Sequence, residues 1–364
     1  MNAYFVKGPF INRGYRLTRL KEGGLAEGSR LSQGDLGAYD YSLPKERIAQ
    51  HPLEQRSSAR LLDARHGPKA IVNRLVSDLP DVLLPGDVVV VNESKVIPAR
   101  LRLRRKSGGS CEVLLIEGDG EGNFKALIRP SKRIKGGEVL VVDESPVLEV
   151  RSEDSSGLRL VRIVDAELAK RLGEIPLPPY IEAELSDPER YQTVFAAREG
   201  SVAAPTAGLH FDQATISAIE AKGIEIVKID LAVGLGTFLP IKSENLSDHK
   251  MHEEAYNIPV ESWLKITQAK RVLAVGTTVL RALESAKLTG ELSGRTDLFV
   301  REGFRFQVVD VLMTNFHVPR STLVVLISAF YGPAWREVYE YALQNGYRFL
   351  SFGDAMLLSK GAGR

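Results

Sequence analysis

The chain has 364 residues, 44% of them hydrophobic and 26% charged, with 48 basic residues against 46 acidic ones. Those numbers describe an ordinary soluble protein of about two domains with ample core material, and near-neutrality leaves any nucleic-acid contact to local patches. One cysteine, Cys111, excludes an intrachain disulfide framework, and no apolar run reaches the roughly 18 residues of a membrane helix, so a cytoplasmic protein is expected.

Residues 1–37 read as a basic, mobile N-terminal extension, rich in glycine and without sustained helical or strand period. The basic residues there precede no apolar segment of the kind a signal peptide needs. A main domain starts at residue 38 and runs to 90, with a short helix over 45–50, a strand over 70–75 and the strand Asp87–Asn92. The unbroken valines of that strand call for burial on both faces. Residues 91–165 have the texture of an inserted β-barrel, with short runs such as LRLRR, EVLLIE and LRLVRIV between Gly-, Asp- and Ser-rich turns. Leu101 and Leu103 alternate with Arg100, Arg102 and Arg104, giving one apolar face and one arginine face. Arg105 and Lys106 extend this cluster, and Arg129, Lys132 and Arg133 make a second. Basic side chains on one sheet face suit a phosphate backbone; a solvated face with intrachain ion pairs is the alternative.

After a helix over 166–172, the stiff segment GEIPLPPYI leads back into the main domain, 166–364. Ser201–Phe211 is built from small residues, is interrupted by Pro205 and closes on His210. It reads as a loop feeding a helix, with Asp212 as N-cap and Gly223 as stop; a tight packing corner is the alternative. Strands over 225–231, 271–275, 308–312 and 348–352 then alternate with helices over 261–269, 277–286, 322–331 and 334–344. That alternation predicts an α/β domain, barrel-like, with a largely parallel sheet.

Polar clusters follow the predicted strand ends. Gly234, Gly236 and Thr237 follow the first of these strands, Thr277 and Thr278 the second, Asn315 and His317 the third, and Ser351 to Asp354 the last. Sites in α/β folds collect at strand carboxyl ends, so the four clusters are expected to meet in one cleft. A complete GxGxxG, a P-loop and a GxSxG elbow are all lacking, which argues against a dinucleotide site, a P-loop nucleotidase and a hydrolase. DHKMHEE (248–254) places His249 and His252 three apart beside Glu253. It is not HExxH and no cysteine accompanies it, so acid–base work or substrate contact ranks above a metal, and none is expected.

AAPTAGLHF (203–211), VGLGTF (233–238), DHKMHEE, AVGTT (274–278), TNFHVPRSTL (314–323) and SFGDAML (351–357) resemble the S-adenosylmethionine:tRNA ribosyltransferase-isomerase family of queuosine synthesis. DYSLP (40–44), AQHP (49–52), NESKVIPARL (92–101), GEIPLPPYI (173–181) and RYQTVFA (190–196) match in the same order. The resemblance implies a discontinuous α/β domain with an inserted β-barrel. It also implies transfer and isomerisation of the ribosyl group of S-adenosylmethionine onto 7-aminomethyl-7-deazaguanine at the tRNA wobble position. The resemblance further implies epoxyqueuosine, adenine and methionine as products, with S-adenosylmethionine consumed as a substrate and no added cofactor expected.

On the matching positions, His210, His252, Glu253 and His317 are expected to supply acid–base function. Thr206, Gly208, Gly234, Gly236, Thr237, Thr277, Thr278, Asn315 and Asp354 are expected to hold the substrates. The two arginine–lysine clusters are expected to hold tRNA, and the enzyme to act as a monomer. A tRNA-binding module without chemistry and an S-adenosylmethionine-dependent RNA methyltransferase are the alternatives.

Overall fold

Residues 34–153, 158–234, 241, 245–249, 251 and 253–364 are described by a computed structural model. Residues 1–33 of the N-terminal extension, and Gly236, Thr237 and His252, lie outside the described residues.

The valine run forms β3 (Asp87–Asn92), buried along its whole length in the middle of the main sheet. Its pleat sends Val88 and Val90 into one core and Val89 and Val91 into the other. The strands β12 (Glu225–Leu231) and β14 (Arg271–Val275) flank it in parallel, and β16 (Val311–Asn315) lies parallel beside β14. Next, β17 (Ala355–Ser359) runs antiparallel to β16 and parallel to β1 (Arg60–Asp63), which pairs with β2 (Val72–Leu75). On the far side, β13 (Glu254–Asn257) and β15 (Ser293–Thr296) extend the sheet from β12 in antiparallel register.

The α/β class is as expected, but this nine-stranded sheet is mixed, and its ends β15 and β2 do not pair, so it is open rather than barrel-like. The last strand also sits later than the 348–352 expected of it. Leu350 adopts a left-handed φ of 70°, and the chain turns so tightly at Gly353 that a Cβ there would lie 2.5 Å from the Arg348 carbonyl oxygen. An extended run cannot pass through that turn, and the strand begins at Ala355.

One core lies under α4 (Val260–Gln268), α5 (Thr277–Thr289), α6 (Thr322–Tyr331) and α7 (Trp335–Gln344). The other is closed by α1 (Leu79–Val82) and α3 (Gln213–Ala221). Asp212 caps α3 as expected, accepting from the Thr215 N–H at 2.8 Å. The first core begins earlier than the sequence suggested, because Leu36 and Tyr39, on a short 3₁₀ turn capped by Asp35, are buried in it.

The second unit is a closed antiparallel barrel in the order β10-β7-β6-β5-β8-β9. Its strands are β5 (Arg100–Arg105), β6 (Ser110–Gly118), β7 (Asn123–Arg129), β8 (Val139–Val142), β9 (Ser145–Glu153) and β10 (Arg159–Ile163). Leu101 and Leu103 point inward while Arg102 and Arg104 are exposed, as the alternation requires. Leu168 and Ala169 of α2 (Ala166–Leu172) enter the barrel core, so this helix packs with the barrel rather than with the main sheet. A parallel pair, β4 (Ser94–Val96) and β11 (Arg198–Ser201), joins the two units. Arg295 of β15 pairs with both Glu117 of the barrel and Glu253.

Candidate active site

The parallel strands β12, β14 and β16 end on one edge of the sheet, and antiparallel β17 starts there, with Asn315 opposite Ala355. The polar clusters therefore meet even though the last one precedes its strand instead of following it. They line a cleft, partly open to solvent, formed by residues 204–207, 276–278 and 314–318 with Val233, Tyr180, Ser321, Leu323, Leu350 and Ser351.

Ser201–Phe211 is a wall of that cleft and also a packing corner, so both readings of it hold. Ser201 accepts from the Val233 N–H at 2.9 Å and donates to the Ala203 carbonyl at 2.6 Å, which pins the stretch to the end of β12. Pro205 then leads into a 3₁₀ turn over Thr206–His210, and Thr206 lines the cleft. Gly208 is buried behind that wall, where a Cβ would sit 3.1 Å from Thr193 Cγ2. Gly276 has φ 100°, which brings β14 sharply into α5 and presents Thr277 and Thr278 at the cleft.

Asn315 is the pivot of the far wall. Its Nδ2 donates to the Leu350 carbonyl and to His210 Nε2, both at 3.1 Å. The Leu350 carbonyl fixes the orientation of the amide, so His210 carries its proton on Nδ1. Asn315 itself lines the same cleft, and its Oδ1 is buried with no hydrogen-bond partner among the described residues. His317 lines this cleft and pairs through Nε2 with Thr314 Oγ1 at 3.1 Å, while its carbonyl accepts from the Tyr41 hydroxyl.

Both imidazoles are buried, and burial lowers each pKa from 6.5 to about 3, with Arg348 and Arg56 adding to the effect at His210. At neutral pH both are therefore uncharged, and neither is an imidazolium acid.

His210 opens onto a second cleft, which is partly open to solvent and shares Ser351 with the first. Asp354 reaches neither. Its carboxylate accepts from the Arg60 and Arg348 N–H groups at 3.1 and 2.8 Å and pairs with the Arg348 side chain, so it clamps the turn before β17. Glu253 lies on Arg295 at 2.7 Å, more than half exposed, and lines neither cleft. His249 rests edge-on against Phe299. The described part of DHKMHEE thus spreads out instead of converging. Glu254 was not singled out by the sequence reading, yet it pairs with buried Arg281 and accepts from the Gly234 N–H at 3.1 Å, holding the loop after β12. Tyr180, also missed, arrives from the proline-rich linker and bonds Ser351 Oγ at 2.7 Å.

The family model described as "Queuosine biosynthesis protein" matches residues 36–358. The chain belongs to this family. Curated members named S-adenosylmethionine:tRNA ribosyltransferase-isomerase are similar to it over most of its length. That of Thermotoga maritima is 47% identical over 330 residues, covering 88% of this chain and 98% of its own. That of Thermus thermophilus is 47% identical over 343 residues, covering 89% and 99%. The crystal structure of the S-adenosylmethionine tRNA ribosyltransferase from Thermotoga maritima aligns with TM-score 0.52 at 36% identity, covering 88% of this chain and 99% of that one. The queuosine biosynthesis family match begins at the residue where the first core begins and spans both clefts.

Proposed function

We propose that this chain transfers and isomerises the ribosyl group of S-adenosylmethionine onto 7-aminomethyl-7-deazaguanine at the wobble position of tRNA, releasing adenine and methionine. The observation that carries this is the single polar cleft made by the strand-end clusters, in a chain aligned over 88–89% of its length with relatives of that name. It works as a cytoplasmic monomer without an added cofactor, S-adenosylmethionine being consumed.

The sulfonium of the donor acidifies its C5′–H, and departure of adenine requires hydrogen bonds or a proton at the purine. His317, neutral in the first cleft with its pKa lowered to about 3, can accept a hydrogen bond but is a weak base and has no proton to give as a cation. Asn315, whose Oδ1 has no partner among the described residues, places an amide acceptor beside the cleft for a purine amine or ribose hydroxyl. Thr206, Thr277, Thr278 and Tyr180 supply hydroxyls around the same space. His210 acts through Asn315 as a positioning residue. His252, on sequence position alone, is assigned the proton-donating role.

The barrel face is the second binding surface of this reading. Arg100, Arg102 and Arg105 are paired with Glu112, Glu174 and Glu138, so part of the face is committed within the chain. Arg104, Lys106, Lys132 and Arg133 are exposed and form no ion pair among the described residues, and these are the groups assigned to tRNA phosphates. Product analysis with labelled donor and precursor tRNA tests the whole proposal. Adenine and methionine are expected; S-adenosylhomocysteine would make the enzyme a methyltransferase, and bound but unreacted tRNA would leave a binding module.

A further inference from the structure

The second cleft has a lining unlike the first. Arg56, Arg190 and Arg348 all face it, and among its lining residues there is no carboxylate. Arg56 donates through Nη1 to the Leu209 carbonyl at 3.1 Å and through Nη2 to the Glu189 carbonyl at 3.2 Å. Arg190 donates to the Glu54 and Leu53 carbonyls, and its Nε is buried with no partner among the described residues. Neither forms an ion pair among the described residues, although Asp187, Glu189 and Asp212 are near enough to act on Arg56 at a distance. Arg348 alone is neutralised, by Asp354 at 3.3 Å.

Backbone carbonyls thus orient two guanidinium groups without cancelling their charge. Burial and the neighbouring Arg190 lower the Arg56 pKa, and Arg56 and Arg348 help keep His210 neutral. The chain bears the cost of like charges gathered around one opening, which a bound anion would relieve.

We propose that this cleft holds a backbone phosphate of the tRNA beside the nucleotide being modified, with Arg56 and Arg190 as its principal contacts. The inference rests on the tRNA reading above. Ser351 lines both clefts and Asn315 of the first bonds His210 of the second, so an anion here is next to whatever occupies the first cleft. A carboxylate, such as that of the donor's methionine, is satisfied by one planar fork. Several forks spread around an open cleft instead suit the tetrahedral oxygens of a phosphodiester.

The test is equilibrium binding of precursor tRNA to the full chain across a salt series, with S-adenosylmethionine binding measured separately by equilibrium dialysis. Arg56→Gln and Arg190→Gln should each weaken tRNA binding about tenfold and lower the salt slope by about 0.7, leaving donor affinity within about twofold. Arg56→Lys and Arg190→Lys keep the charge and are read if the Gln variants fail to fold; they should weaken tRNA binding with the slope preserved. Loss of donor affinity with tRNA binding unchanged would assign the cleft to the methionine carboxylate and overturn the proposal, as would no change in either. Adenine release by the unaltered enzyme is followed alongside. If it occurs while the variants bind normally, only the cleft assignment falls; if it does not occur, the functional reading itself falls.

Discussion

His210 and His317 make the acid limit of stability calculable. They are 5% and 7% exposed, and each has its pKa lowered from 6.5 to about 3. The folded state refuses a proton that the unfolded chain accepts below its pKa. Stability is therefore complete above about pH 6.5 and is lost as pH falls toward the folded value, by about 1.4 kcal/mol per pH unit for each histidine. Between pH 7 and pH 5 each contributes a loss of about 2 kcal/mol.

His317→Gln removes one of these terms while its amide can still pair with Thr314 in place of the ring nitrogen. Urea unfolding at pH 7 and pH 5 measures the effect, and the loss between the two pH values should be smaller in the variant by about 2 kcal/mol. Whatever His317→Gln costs in packing is common to both pH values and cancels. Equal losses in the two proteins would refute the reasoning, because they would mean that the imidazole takes a proton in the folded state about as readily as in the unfolded one.

Other outcomes follow from the same geometry. Adenine release should show no ionisation limb from His210 or His317 between about pH 6 and 9; a limb abolished by His317→Gln would contradict the neutral assignment. Glu254→Gln leaves buried Arg281 without its counter-charge and should destabilise by about 3–5 kcal/mol, seen as a lowered urea midpoint. Gly276→Ala, at φ 100°, should cost about 1–2 kcal/mol and slow adenine release by displacing Thr277 and Thr278; unchanged kinetics would remove that loop from the site. Lys132→Glu with Arg133→Glu should raise the KM for tRNA and flatten its salt dependence without affecting the KM for S-adenosylmethionine.

Elements whose evidence is local were legible in the sequence. The valine run made β3 a buried central strand, the Leu–Arg alternation gave β5 its two faces, and Asp212 with Gly223 bounded α3. Elements whose reason is a distant partner were not. Asp354 looks like a ligand in the chain, but its oxygens are taken by the Arg60 and Arg348 N–H groups, and Arg60 is 294 positions away. Nothing local marks Arg56 and Arg348, 292 positions apart in the chain; the fold sets them around the same opening as Arg190. The run RFLSF reads as a strand by hydropathy, and only the reversed backbone at Leu350 shows that it is a turn.

That turn explains how an antiparallel strand serves a site normally built by parallel ones. Had 348–352 been a parallel strand, Ser351 would lie within the sheet and the Leu350 carbonyl would be spent on a ladder bond. Because the chain reverses instead, the carbonyl accepts from the Gly353 N–H within the turn and from Asn315 across the site, and Ser351 is delivered to both clefts at once. The left-handed residue costs about 1–2 kcal/mol. It persists because the carboxylate of Asp354 holds the backbone N–H of Arg348 on one side and that of Arg60 on the other. Asp354 is thus remote from chemistry but sets the position of Asn315, and through it His210. Asp354→Asn offers one oxygen for two N–H groups, so it should disturb both clefts together, whereas a residue confined to one cleft should disturb one substrate alone.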